Sequence, residues 1–165
     1  MNVQEATTRR LPDLKERHLP ENCRETINTI LKETYGYEQF RNLEIYDDLS
    51  KGKEKLCISQ GQLIENVILE AEKAWKSETQ VDNILLTAPT GSGKSLLFQL
   101  PAIYLGKGYN LLTIVVSPLK ALIVDQVESL QELGYTRVAY ASSDLSPEQK
   151  MEVYRQVREG GIDLF

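Results

Sequence analysis

The chain has 165 residues, enough for one domain with a core of its own. Acidic residues outnumber basic ones, 24 to 19, giving a net charge of −5, which excludes attraction of nucleic acid by bulk charge and leaves only local surfaces for it. Two cysteines, Cys23 and Cys57, exclude a four-cysteine zinc site and read as reduced thiols, and the single histidine, His18, reads as an exposed residue of a polar stretch.

Residues 1–20 are polar and charged, the pattern of a flexible lead-in. Residues 21–35 carry Ile27, Ile30 and Leu31 at helical spacing, with Gly36 as a stop. Residues 47–55 are charged and read as a loop. Residues 60–75 predict a helix with Leu63, Val67, Ala71 and Trp75 on one face, Ile64 and Ile68 beside it, packed on a sheet. From residue 83 the pattern becomes regular. Residues 84–88 predict a buried strand, and residues 93–105 a helix kinked near Pro101. A second buried strand follows over 112–117, then an amphipathic helix over 119–133 ended by Gly134. Residues 137–141 read as a third strand. Ser146-Pro147-Glu148-Gln149 opens a helix by three devices at once: a capping serine, a first-turn proline and a capping-box glutamine. That helix runs to about Glu159 and stops at Gly160-Gly161, and residues 162–165 begin a fourth strand. This alternation predicts an α/β fold, a parallel sheet with helices on both faces, preceded by a helical segment over 21–82.

The most specific feature is Ala88-Pro89-Thr90-Gly91-Ser92-Gly93-Lys94-Ser95, set between the apolar run 83–87 and Leu96-Leu97-Phe98. Strand, glycine loop and helix in that order define a phosphate-binding loop. Gly91 and Gly93 let backbone N–H groups crowd an anion, and the following helix points its positive end at it. Lys94 is placed for the outer phosphates and Ser95 for Mg²⁺. The general pattern has glycine where this chain has Ala88. A glycine-rich helix cap of an unrelated α/β protein would need none of the flanking context.

Two further blocks narrow the reading. Lys94-Ser95-Leu96-Leu97-Phe98-Gln99-Leu100-Pro101-Ala102 extends the loop, and Thr113-Ile114-Val115-Val116-Ser117-Pro118-Leu119-Lys120-Ala121-Leu122 with Asp125-Gln126-Val127 follows it. Together they resemble motifs I and Ia of superfamily 2 helicases, specifically the RecQ-like DNA helicases. Tyr35-Gly36-Tyr37-Glu38-Gln39-Phe40-Arg41 resembles the start of that family's adenine-recognition motif. The resemblance is dense over 83–165, patchy over 35–75 and absent over 1–34. It implies the N-terminal half of a RecA-like ATP-binding motor domain over 83–165, with a split adenine motif in 21–82. ATP and Mg²⁺ are the implied cofactors, with Ala88 through Leu96 around the phosphates. In the family a glutamine closely follows the Phe-Arg pair. Glu44 stands there, and residues 50–59 read as an insertion that splits the motif. Gln62 is then the candidate adenine reader, with Gln60 as runner-up, because an amide both donates to and accepts from the adenine edge.

Ser117, Pro118, Leu119 and Lys120 lie at the carboxyl end of a predicted parallel strand and the start of a helix, a position suited to a phosphate. The resemblance implies that they touch the backbone of single-stranded DNA. Ser142 and Ser143 share that rim but fit an ordinary loop before a helix better, and Asp125 and Gln126 fit helix-surface or capping roles. The sequence holds no Asp-Glu-x-His or Asp-Glu-x-Asp run and no second motor domain. The expectation is therefore the ATP-binding part of a 3′ to 5′ DNA helicase or translocase, inactive alone, acting on single-stranded or partly duplex DNA. Competing expectations are a non-catalytic binding module and a small-molecule kinase, which would have no use for the second block. No signal peptide or long apolar run occurs, which predicts a soluble intracellular protein with no membrane partner.

Overall fold

The computed structural model describes residues 17–46, 55–76, 83–86 and 90–165. Within them lie α1 (Glu21–Tyr35), β1 (Asn42–Tyr46), β2 (Lys55–Ser59), α2 (Gln60–Trp75), α3 (Leu96–Tyr109), α4 (Lys120–Glu132) and α5 (Pro147–Arg158). The centre of the molecule is α3. Ten of the eleven residues from Leu96 to Gly106 are buried, all but Phe98, so this stretch of the helix has no wet face. Ile27, Ile30 and Leu31 of α1 and Leu63, Ile64 and Ile68 of α2 join it in one core.

Local signals explain the helix ends. Gly36 takes a left-handed φ of +69° and returns its N–H to Lys32 O, closing α1. Ser146 and Gln149 form the reciprocal capping box that opens α5. The last residues of the predicted lead-in are anchored. Leu19 is buried, its N–H donates to Glu65 Oε2 at 3.0 Å, and Arg17 reaches Glu70 at 2.7 Å. His18 is exposed, as its polar surroundings suggest.

Several expectations are corrected. On α2 the fully buried positions are Ile64 and Ile68, while Trp75 is 56% exposed, because the helix lies against α3 along the Gln60, Ile64, Ile68 line. Helix α3 starts at Leu96, since residues 93–95 complete the glycine loop. It runs four residues beyond Leu105, ending where Asn110 adopts φ of +53° and its N–H bonds Gly106 O. Pro101 lies inside it. Gly106 lets α3 pass close to Asp163, whose Oδ1 would lie 2.6 Å from an added Cβ. Asp163 is 1% exposed and accepts from Arg137 Nε at 2.8 Å, from Arg137 Nη2 at 2.7 Å and from the Tyr135 hydroxyl.

The inserted segment is an antiparallel hairpin, with Leu43 opposite Ile58 and Glu44 opposite Cys57. The expected loop over 47–55 falls largely outside the described residues, though Lys55 already belongs to β2. The parallel sheet is reduced to three extended segments. Leu164 bridges Thr113 on one side and Val138 on the other, so 162–165 lies between 112–117 and 137–140. A sheet with helices on both faces is not formed among the described residues. The strands expected to be buried are open. Ile114 is 65%, Val116 90% and Leu85 92% exposed, and residues 83–86 pair with no described strand. Continuous apolar runs imply cover on both faces, and that cover is absent from the described residues here. Residues 87 and 88 lie outside them.

Candidate nucleotide and nucleic-acid site

Gln60, the first residue of α2, ties the hairpin base to the glycine loop. Its N–H donates to Arg41 O at 2.9 Å and its Oε1 accepts from Arg41 N–H at 3.1 Å. Its Nε2 donates to Ser92 O at 3.1 Å and Gly93 O at 3.4 Å. The side chain lies so close to Gly93 that an added Cβ would overlap Nε2. Gly93 is thus needed twice, for this approach and for its φ of +79°. Gly61 has a similar role toward Phe40, whose Cδ2 would stand 2.6 Å from an added Cβ.

Gly91 has φ of +80° and open space around its Cα. The N–H groups of Gly91, Ser92, Gly93 and Ser95 donate to no described residue, and the first loop carbonyl to accept from a backbone N–H is Gly93 O, from Leu96 at 3.2 Å. The buried Ser92 Oγ has no hydrogen-bond partner. Ser95 makes no side-chain cap, so its hydroxyl is available at the start of α3. Lys94 is exposed beside it. This ring of donors with an orphaned hydroxyl fits a phosphate chain. No group of three or more His, Cys, Asp or Glu able to hold a metal occurs among the described residues. Thr90 is exposed at the loop's edge, and Ala88 and Pro89 lie outside the described residues.

Gln62 is two positions beyond Gln60, about 200° around a helix of 3.6 residues per turn. It is half-buried at a cavity of about 330 Å³ bordered by Phe40, Gly61, Arg24 and Glu25, which no glycine-loop residue lines. Among the described residues, it is Gln60 that hydrogen-bonds the loop. The signal in the sequence was the serine at residue 59: as the N-cap it fixes where α2 begins and hence which glutamine faces the loop.

At the second site Ser117 Oγ accepts from Leu119 N–H at 3.3 Å, leaving its own proton to donate. The N–H groups of Lys120 and Ala121 find no acceptor among the described residues. Pro118 and Leu119 are exposed. Lys120 Nζ is 2.8 Å from Asp144 Oδ1. Gln126, expected on the surface, is half-buried instead: it accepts from Gln99 Nε2 at 2.7 Å, and Gln99 Oε1 accepts from the Tyr35 hydroxyl at 3.3 Å. That chain of amides joins α1, α3 and α4.

Glycine loop, buried helix and parallel segments together define a phosphate-loop nucleotide-binding unit of the α/β class. Residues 68–165, more than half the chain, match the DEAD/DEAH box helicase family. The chain belongs to that family, and its similarities place it with the RecQ-like helicases of superfamily 2. It is 33% identical over 132 residues to the ATP-dependent DNA helicase RecQ of Synechocystis sp., covering 80% of this chain and 21% of that one. To the RecQ helicase of Bacillus subtilis it is 31% identical over 137 residues, 83% and 18% of the two chains. To ATP-dependent DNA helicase Q4 of Mus musculus it is 42% identical over 81 residues, 49% and 6%. The chain thus spans about a fifth or less of the length of these relatives. No described helix is long and apolar enough to cross a membrane.

Proposed function

We propose that this chain is the ATP-binding part of a DNA helicase or translocase that moves 3′ to 5′ on single-stranded DNA. The observation that carries the reading is the glycine loop, whose N–H groups at Gly91, Ser92, Gly93 and Ser95 donate to no described residue, and its clasp by Gln60. In this reading the loop N–H groups hold the β- and γ-phosphates and Lys94 balances their charge. Ser95 holds Mg²⁺, which when bound neutralises charge on the transferred phosphoryl group. Gln60 fixes the loop and stands at the adenine side. Gln62 serves the base only if the base turns into the cavity beside Phe40. Comparing ATP with GTP binding in Gln60→Ala and Gln62→Ala decides between them.

Residues 83–165 act as the N-terminal half of a RecA-like motor domain whose parallel sheet is completed by further strands. Ser117 through Lys120 hold the DNA backbone with the help of the Lys120 and Ala121 N–H groups, which find no acceptor among the described residues. Strand movement and fast hydrolysis need an acidic motif and a second motor domain in addition to residues 1–165, because phosphoryl transfer depends on positioning and charge neutralisation. The test compares ATP binding and DNA-stimulated hydrolysis of this chain with those of Lys94→Ala. Binding lost in the variant, without turnover in either, is expected. Turnover by the chain alone would overturn the dependence on a second domain. Equal binding by both forms, or none by either, would overturn the nucleotide site in favour of a non-catalytic interaction module.

A further inference from the structure

We propose that Asp144 is an internal competitor for nucleic-acid phosphate, occupying Lys120 until a DNA strand displaces it. The inference rests on the reading of Ser117 through Lys120 as the DNA contact and adds a residue to it that neither the motif nor the comparisons assign.

Segments 112–117 and 137–140 run parallel on either side of 162–165, so their carboxyl ends open on the same rim. From the first comes the turn into α4 with Lys120. From the second comes the loop that leads to α5 with Asp144. Lys120 Nζ meets Asp144 Oδ1 at 2.8 Å, 24 residues apart in sequence. The carboxylate is held in place: Asp144 N–H donates to Ser142 Oγ at 3.2 Å, and the Ser143 hydroxyl donates to Asp144 Oδ1 at 3.2 Å. The acceptor is thus presented to the Lys120 ammonium, the charge that a backbone phosphate at the start of α4 would need. A phosphate offers the same acceptor chemistry with more oxygens and more charge.

The pair is also exchangeable. Both side chains are more than half exposed, 53% for Lys120 and 69% for Asp144. Exposed ion pairs are weak and screened by salt. Lys120 beside it, with the Ser143 hydrogen bond and the charge of Lys150, holds the Asp144 carboxyl below its ordinary range, so it is ionised at neutral pH. A strand entering the rim therefore meets a lysine already neutralised and a carboxylate that repels it. In a chain of net charge −5, this makes the rim selective for ligands that can replace the carboxylate completely.

The experiment titrates a fluorescently labelled single-stranded oligonucleotide at low salt with the chain and with Asp144→Asn, Lys120→Ala and the double variant, read by anisotropy. Asparagine keeps the size and the hydrogen bonds of the loop. Asp144→Asn is expected to tighten binding about two- to fivefold, the range of an exposed ion pair, and the gain shrinks as salt rises. In the Lys120→Ala background the gain is lost. Unchanged binding in Asp144→Asn, or an equal gain without Lys120, overturns the competitor role while leaving the DNA site standing. Absence of binding in all four proteins overturns the DNA reading of the rim and this inference with it.

Discussion

Two glycines of α3 respond in opposite directions to the same substitution. Gly106 and Gly108 both sit inside the helix, where alanine is ordinarily more stable by about 0.5–1 kcal/mol. An added Cβ at Gly108 meets nothing within 4 Å, so Gly108→Ala is expected to gain about that amount. At Gly106 the methyl would overlap Cγ and Cβ of Asp163 and stand 2.6 Å from its Oδ1. Asp163 is 1% exposed and cannot swing out without leaving Arg137 and Tyr135. Overpacking costs about 1–3 kcal/mol. Separating a buried ion pair costs about 3–5 kcal/mol, and the low end applies because Arg137 is 41% exposed. Relief by a backbone shift avoids the second loss but not the first. Net of the helix gain, Gly106→Ala is expected to lose about 2 kcal/mol or more, some 3 kcal/mol below Gly108→Ala. Urea unfolding followed by far-ultraviolet circular dichroism measures both on one scale. A Gly106→Ala midpoint at or above that of the unsubstituted chain would refute the packing of Asp163 against α3.

Gly93→Ala forces a side chain into φ of +79° and against Gln60, so it should lose about 1–2 kcal/mol from the backbone alone and weaken nucleotide binding. Adding Gln60→Ala removes the overlap, and the double variant should lose less than the two single losses added together; additive losses in urea titrations would show that the two residues do not touch. Ser146→Ala should lower stability by about 1 kcal/mol, since it removes the acceptor for Gln149 N–H at 3.2 Å; an unchanged unfolding midpoint would count against the capping box.

Helices α1 and α5 are legible in the chain because their signals are local: a left-handed glycine and a capping box lie within one turn of the ends they fix, while α2 is legible from its apolar spacing. The hairpin was harder. Leu43 and Ile58 alternate with Glu44 and Cys57 as strands require, but the split motif drew attention to what was inserted rather than to its pairing. Gln60 and Gln62 differ by two residues of helical phase, about 200°, which the motif spacing does not set. The apolar runs 84–88 and 112–117 predict burial, but burial depends on partners that a run does not name. Gln126 illustrates the same limit. Its place in the Tyr35–Gln99 chain follows from how α3 and α4 pack.

The open flank of segment 112–117 bears on how the protein behaves in a tube. Leu112, Ile114 and Val116 project from one face, and their N–H groups bond no described residue. No lysine or proline interrupts the segment before Pro118, so it lacks the usual guards against lateral stacking. Copies at high concentration have a ready template for joining strand to strand, and light scattering should rise with concentration well before the helices melt. Lysine at Val116 would protect the edge, and a clearer solution with an unchanged helical spectrum would follow.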